Sequence, residues 1–273
     1  MIKTTPIMNK QVIFITGTSS GLGKALAQLF HEKGHIVYGS SRNPQKGNAM
    51  FTELQVDVMN KESVRNAVIT LLNLEGKIDI VIHNAGLGII GPIEYLAEED
   101  IQKVWQTNVN GLINIIQTIL PSMRKNKKGK IISISSIASE IALPFRGVYC
   151  ASKAAGDRII QSLRMELSGT SISCCSIQAG DIKTSINEHR LKVKQLDDAF
   201  YADIVHKTNE HIDKEVNKGM SAMAVASEIY TLIERSKLPV TFTIGKPLQK
   251  ISLFIKRLLP ESLFEKIISS YSR

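Results

Sequence analysis

A tyrosine and a lysine, Tyr149 and Lys153, stand four residues apart in the segment GVYCASKAA. On a helix, side chains at this spacing lie on the same face, one turn apart. Free tyrosine has a pKa of about 10 and is a poor base at neutral pH, but a neighbouring ammonium favours the phenolate form. The pair can therefore exchange a proton with a reacting alcohol or carbonyl oxygen.

A glycine-rich segment, TGTSSGLG, lies far upstream and directly follows an apolar stretch. Glycines between a strand and a helix let the backbone approach a phosphate, and the free N–H groups at the helix start can bind that anion. The spacing G-x-x-x-G-x-G predicts a turn that holds the pyrophosphate of a dinucleotide. Its predicted binding residues are Gly17, Ser19, Ser20, Gly21, Leu22 and Gly23.

A carbonyl oxygen that is being reduced also needs a donor that holds it while charge develops. Ser135 and Ser136 both stand at the end of a predicted strand, and either hydroxyl could serve. Asn108, in a predicted long helix, could hold a water that carries the proton onward. Together with the glycine turn and the tyrosine–lysine pair, these features predict a hydride-transfer enzyme that acts on a small molecule. The alternative is a sensor that binds the dinucleotide without turnover.

The residues after the second predicted strand indicate the cofactor. An acid there would accept hydrogen bonds from the ribose of NAD, but the chain has SSRN at positions 40–43. Arg42 could pair with a 2′-phosphate and Ser41 could donate to it. The sequence favours NADP(H), with NAD(H) as the alternative if Arg42 is only a surface residue. Asp57 and Val58 should meet the adenine edge, unless Asp57 caps a helix.

Apolar stretches alternate with amphipathic ones over most of the chain. Strands are predicted at 12–16, 35–41, 54–58, 79–83, 130–135, 171–178 and 241–245, and helices at 22–33, 63–74, 98–119, 148–167 and 222–235. Pro121 should end the long helix. The pattern predicts an α/β fold, a Rossmann-like doubly wound parallel sheet in one domain over residues 1–245, with ligands at the carboxyl edge of the strands.

Two segments fall outside this alternation. Residues 186–220 are polar and weakly periodic, which is typical of a lid or substrate loop, or else of a solvated helical excursion. Residues 246–273 form a basic amphipathic tail with six Lys or Arg and two Glu, a local net charge of +4. The tail could pack over the substrate cleft, pack against a partner subunit or lie on a membrane surface.

Composition restricts the function classes. The chain has 273 residues, 43% hydrophobic and 22% charged, which is ordinary for a globular protein. The net charge of +9 would suit nucleic acid, but no nucleic-acid-binding or metal-ligand pattern accompanies it, so neither nucleic acid nor metal is expected. Adjacent Cys174 and Cys175 would point to opposite faces of a strand, so a disulfide framework is not expected. Cys150 is interpreted as a buried apolar residue.

These motifs resemble those of the short-chain dehydrogenase/reductase family, over roughly 10–184. TGTSSGLG matches the family's cofactor turn, and Asn84, Ala85 and Gly86 match its sheet-stabilising motif, with His83 where a second Asn is frequent. TNVNG supplies the family's helix asparagine, Asn108. Of the two serines, Ser136 has the family's usual spacing to Tyr149. QAGDIKT resembles the Pro-Gly segment after the sixth strand, with Ala179 in place of proline.

The resemblance implies an oxidoreductase for an alcohol/carbonyl pair, with Asn108, Ser136, Tyr149 and Lys153 as catalytic residues. Lys153 would also reach the nicotinamide ribose, and Thr184 would bind the carboxamide. The implied cofactor site adds Gly180 and Ile182. The layout is most similar to members that act on steroids, retinoids or other lipophilic carbonyls, and family members are often homodimers or homotetramers. A cytoplasmic location, with peripheral membrane contact through the tail as an alternative, is the expectation.

Overall fold

The computed structural model describes residues 10–44, 50–184, 190–193, 196 and 198–271. Its centre is a sheet of seven parallel strands, in the order β7-β6-β5-β4-β1-β2-β3. The strands are β1 (Val12–Thr16), β2 (Ile36–Ser41), β3 (Thr52–Gln55), β4 (Ile80–His83), β5 (Gly129–Ser136), β6 (Ile172–Ala179) and β7 (Thr241–Ile244). From β1, the chain adds β2 and β3 on one side of the sheet and then returns to add β4 to β7 on the other side. Between β1 and β4, a doubly wound sheet opens a crevice at the carboxyl edge of its strands. The predicted fold class is confirmed.

Helices cover both faces of this sheet. They are α1 (Gly21–Glu32), α2 (Lys61–Glu75), α3 (Glu98–Trp105), α4 (Gly111–Lys125), α5 (Gly147–Glu166), α6 (Ala199–Asn217), α7 (Ala222–Ile233), α8 (Pro247–Leu258) and α9 (Glu261–Tyr271). One apolar cluster joins α2, α4 and α5 to the sheet, and a second joins α1 and α7 to the opposite face.

Alternation along the strands explains this sandwich. In β1, Val12 and Phe14 belong to one core cluster and Ile13 and Ile15 to the other, and all four are nearly inaccessible to solvent. Successive side chains of a strand point to opposite faces, so a strand buried on both sides reads as a continuous apolar run. Cys174 and Cys175 divide between the two clusters in the same way, and all three cysteines are free.

The predicted helix at 98–119 is wrong in two respects. It is interrupted by a π-helical segment, Gln106–Asn110, and it continues through Pro121 to Lys125. Proline removes the hydrogen bond to the Gln117 carbonyl, but Gln117 and Pro121 are both exposed, so water can bind that carbonyl. Met123, fully buried two residues later, fixes the last turn to the core.

The third strand also differs from the prediction. Strand β3 begins at Thr52, opposite Tyr38, and ends at Gln55, so Asp57 and Val58 lie in the following turn. The Asp57 carboxylate accepts a hydrogen bond from the Met59 backbone N–H at 3.0 Å within this turn. Asn60 caps α2 by accepting from the Ser63 N–H.

Candidate active site

The glycine turn between β1 and α1 has the conformation that its sequence predicts. Gly17 and Gly21 have φ of +74° and +56°, in the left-handed region that favours glycine. A Cβ on Gly23 would lie 2.0 Å from the Gly17 carbonyl oxygen, so only glycine lets α1 start this close to the strand. No acid lies in the first turn of α1, and Ser20 provides no side-chain cap. The first N–H groups of the helix are therefore oriented for an anion.

The NAG segment ties this turn to the neighbouring strand. The Asn84 side chain donates to the carbonyls of Thr16 and Gly17 at 3.0 and 2.9 Å. The Thr16 hydroxyl in turn accepts from the backbone N–H groups of Asn84 and Ala85, both at 3.1 Å. These bonds hold the carboxyl ends of β1 and β4 at a fixed separation, so the turn is positioned before any ligand binds.

His83 is enclosed beneath this segment. Burial, followed by the nearby charge of Lys153, lowers the pKa of His83 to about 3. Its Nδ1 lies 3.2 Å from the Thr16 hydroxyl. The ring is therefore neutral at physiological pH and acts as a packing and hydrogen-bonding element of the sheet.

At the end of β2, Ser41 and Arg42 line the same cavity as the glycine turn. The Ser41 hydroxyl is buried and has no hydrogen-bond partner within the described part of the chain. The Arg42 side chain is exposed, while its carbonyl accepts from the Gln55 side chain at 3.2 Å. Within the part of the chain that the structure describes, an unpartnered hydroxyl thus lies beside an exposed guanidinium, and the two can donate to a phosphate.

Tyr149 and Lys153 lie on the inner face of α5 and both line the cavity. Tyr149 is 8% exposed, and the Lys153 Nζ lies 5.9 Å from the centroid of its ring. The Lys153 ammonium donates to the Ile134 carbonyl at 2.9 Å, which leaves further N–H donors for a ligand. Arg146 lies over the same ring, 5.0 Å from its centroid. The charged groups of Arg146 and Lys153 thus both lie within 6 Å of the centroid of the Tyr149 ring.

Asn108 lies in the π-helical segment, where it is buried outside the cavity lining. Its side-chain oxygen accepts from the Leu87 N–H at 2.8 Å, and its amide donates to the Leu87 carbonyl and to Ser152, both at 2.9 Å. The Ser152 hydroxyl then donates to the Tyr149 carbonyl. Asn108 therefore connects the loop after β4 to the helix that carries the tyrosine. The water relay stays a prediction.

Both serines at the end of β5 line the cavity. Ser136 accepts from the Ala138 N–H at 3.1 Å, and its own proton is free to be directed into the cavity. The Ser135 hydroxyl is buried and unpartnered among the residues described. The structure therefore brings two hydroxyls to the region of Tyr149.

A single cavity of about 910 Å³ joins these elements. It runs from the glycine turn, past Tyr149 and Lys153, to helices α6, α8 and α9. All the predicted cofactor residues line it except Gly23, which packs beneath the turn: Gly17, Ser19, Ser20, Gly21, Leu22, Ser41, Arg42, Asp57, Val58, Asn84, Ala85, Gly86, Tyr149, Lys153, Gly180, Ile182 and Thr184. Thr184 also packs against the glycine turn, because a Cβ added to Gly21 would lie 3.1 Å from the Thr184 side chain.

The far half of the cavity was not predicted residue by residue. Helix α6, within the predicted 186–220 insertion, contributes Thr208, Ile212 and Val216 to the lining. Residues 186–189, 194, 195 and 197 of the insertion lie outside the described residues. The α8–α9 pair contributes Gln249, Ser252, Ile255, Phe264, Ile267 and Ile268. The amphipathic pattern of the tail was the available signal, but it did not identify which side faces the cavity.

Polar contacts hold α8 over the part of the cavity that contains Tyr149 and Lys153. The Gln249 amide donates to the Asp181 carboxylate at 2.6 Å, and the Lys256 ammonium donates to the Glu140 carbonyl. Burial raises the pKa of Asp181, and the charge of Arg146 opposes that increase. A Cβ on Gly180 would lie 2.2 Å from the Gln249 side chain, so this glycine admits the close approach of α8.

A family model described as short chain dehydrogenase matches residues 11–195, more than half of the chain. The chain belongs to the short-chain dehydrogenase family. It is therefore an oxidoreductase that interconverts an alcohol and a carbonyl with a nicotinamide cofactor. Membership confirms the resemblance that the motifs indicate.

Individual members of the short-chain dehydrogenase family align along almost the whole chain. A 3-ketodihydrosphingosine reductase of Bacteroides thetaiotaomicron is 36% identical over 94% of this chain and 96% of its own. Dehydrogenase/reductase SDR family member 7B of Rattus norvegicus is 29% identical over 97% of this chain and 82% of its own. A short-chain dehydrogenase structure from Streptomyces avermitilis superposes with a TM-score of 0.81 at 21% identity, over 96% of both chains, and supports the fold.

Proposed function

We propose that this protein uses NADPH to reduce the keto group of a long-chain amino ketone of the 3-ketodihydrosphingosine type. The observation that carries the proposal is the continuous cavity, which has the tyrosine–lysine pair at its centre and apolar helices at its far end. The relative from Bacteroides thetaiotaomicron, aligned over nearly the full length of both chains, supports this substrate class. The sequence predicts a lipophilic carbonyl substrate, and this proposal specifies one class of such substrates.

The residues at the centre of the cavity would carry out the proton chemistry. A bound NADPH supplies the hydride that reduces the carbonyl carbon. Ser136 holds the carbonyl oxygen by donating a hydrogen bond, and Tyr149 donates the proton that converts this oxygen to a hydroxyl. Lys153 stabilises the phenolate that remains and binds the cofactor ribose. Asn108 positions α5 through Ser152.

The far half of the cavity would hold the alkyl chain. Ile212, Ile255, Phe264 and Ile267 all contribute to its lining. The cavity is polar near the tyrosine–lysine pair and apolar at its far end, so it matches an amphiphile with a reactive polar end and a long saturated chain. Burying that chain stabilises the complex by about 25 cal/mol per Å² of apolar surface. A short ketone would lose that contribution.

The cofactor half of the cavity fits a phosphorylated dinucleotide. The start of α1 offers backbone N–H groups for the pyrophosphate, while Ser41 and Arg42 offer donors for a 2′-phosphate. No acidic residue occurs at 40–43 to select the free ribose of NAD. These observations support NADP(H) over NAD(H).

The substrate proposal is tested by following NADPH absorbance with 3-ketodihydrosphingosine in detergent micelles. We expect turnover that falls steeply as the alkyl chain is shortened, with kcat/KM lost by roughly tenfold for every two methylenes removed from the cavity. Mass spectrometry should show the product heavier than the ketone by two hydrogens. Reduction of ketosteroids or of retinaldehyde, with no reduction of the amino ketone, would reject this substrate class.

Cofactor choice is tested by Arg42→Asp. The change removes one charged donor and introduces repulsion toward a 2′-phosphate, so NADPH affinity should fall by about 100-fold while NADH affinity changes little. Arg65→Asp is the matched control, because Arg65 is also an exposed arginine but lies outside the cavity. Titration of both cofactors measures the ratio. If Arg42→Asp leaves the ratio as in Arg65→Asp, Arg42 does not contact the cofactor.

A further inference from the structure

The two helices α8 and α9 present a set of large apolar side chains to solvent. We define their outer apolar face by the exposed residues of the two helices: Leu248, Ile251, Phe254, Ile255, Leu258, Leu263 and Ile267. Phe254 and Leu258 are 64% and 66% exposed. Exposed apolar patches of this kind mark interaction sites.

This face is distinct from the side that holds α8 on the protein. Gln249, Ser252 and Lys256 recur at helical spacing toward the core, where Gln249 and Lys256 make the polar contacts to Asp181 and Glu140. The helix is therefore anchored by polar bonds on one side and uncovered on its apolar side. This is the reverse of an ordinary surface helix, which buries its apolar side.

The charges beside this face favour an anionic partner. Lys250 and Arg257 are exposed along one edge of the α8 apolar stripe, and α8 has no acidic residue. On α9, Lys266 is accompanied by Glu261 and Glu265, so the positive charge is concentrated on α8. An amphipathic helix with basic residues beside its apolar side lies in the interface of an anionic bilayer. Among the described residues, no helix is long and apolar enough to span a bilayer.

The cavity opens at the same face. Leu248, Ile255 and Ile267 are 69%, 37% and 47% exposed and also line the cavity. Residues that belong both to the surface and to the lining form the rim of an opening. A ligand could pass this rim from an apolar medium without exposing its alkyl chain to water.

We propose that the outer apolar face docks on the surface of an anionic lipid bilayer, with the mouth of the cavity toward the lipid. The protein is then a peripheral membrane protein that takes its substrate from the bilayer. Docking stands on the exposed side chains and charges alone, whereas the entry route rests on the proposed lipid substrate.

Flotation of the full-length protein with vesicles tests the docking without any substrate. We expect binding to vesicles of phosphatidylcholine with phosphatidylglycerol, weaker binding to phosphatidylcholine alone, and partial loss at high salt. The double variant Phe254→Glu/Leu258→Glu should lower the partition coefficient by at least about tenfold. These two side chains lie outside the cavity lining, so NADPH binding and Tm should be unchanged.

The matched control is Leu74→Glu/Met165→Glu. It places the same two charges on exposed apolar side chains, 65% and 71% exposed, on α2 and α5. This control should bind vesicles like the wild type. Docking is overturned if both double variants bind equally, or if the wild type does not bind. Loss of a wild-type dimer in Phe254→Glu/Leu258→Glu, measured by light scattering and without vesicle binding, would assign the face to a second copy of the chain.

Discussion

Replacing Tyr149 with phenylalanine is expected to lower kcat by about 10³-fold, within the range for loss of a general acid. The substitution removes one oxygen and keeps the ring, which is 8% exposed between Arg146 and Lys153. Packing and NADPH affinity should therefore persist. Stopped assays with the keto substrate measure kcat, and fluorescence titration measures NADPH binding.

Tyr38→Phe is the control for this variant. Its hydroxyl donates to the Glu75 carboxylate at 2.7 Å, outside the cavity, so its loss should cost about 1 kcal/mol of stability with kcat unchanged. Full turnover by Tyr149→Phe, with a Tm like that of the wild type, would show that another group donates the proton.

Replacing Lys153 with methionine should be nearly as severe. Methionine keeps the unbranched stem but removes the ammonium that lies 5.9 Å from the Tyr149 ring centroid. We expect kcat to fall by about 10²- to 10³-fold, because negative charge on the phenol oxygen loses its stabilising neighbour. NADPH affinity should fall as well, because the ammonium is a donor in the cofactor half of the cavity. Steady-state kinetics and cofactor titration separate the two effects.

Lys130→Met is the control that separates a catalytic role of Lys153 from a purely structural one. Lys130 also donates to backbone carbonyls, those of Ile233 and Arg235, but outside the cavity. Both variants lose a lysine-to-carbonyl contact, so both should have a lower Tm. Only Lys153→Met should lose turnover beyond its loss of folded protein. Equal specific activities for the two variants would show that Lys153 has only a structural role.

The carboxyl-edge motifs could be predicted because their chemistry is local. A glycine turn needs positive φ within a few residues, as Gly17 and Gly21 show. Tyr149 and Lys153 share a face because helix geometry fixes the spacing. Strand β1 could be located because it is buried on two faces and its sequence, VIFIT, is almost entirely apolar.

The errors arose where tertiary contacts override local preference. Pro121 should end a helix, yet burial of Met123 carries α4 beyond it. Asn108 shows the same limit of local sequence: its side chain bonds to Leu87 and Ser152, partners 21 and 44 residues away, while its water relay stays a prediction. Local sequence does not encode contacts of this range.

The sequence by itself determined the doubly wound sheet, the nucleotide-binding turn and the tyrosine–lysine pair, because each follows from periodicity or from the conformation of a few adjacent residues. Only the tertiary structure decided which sides of α8 and α9 face the cavity and which sides face solvent. Their amphipathic pattern is compatible with the cleft, a partner or a membrane. Contacts to Asp181 and Glu140 turn one side toward the cavity and leave the other exposed. Those contacts join residues that are 68 and 116 positions apart in the chain.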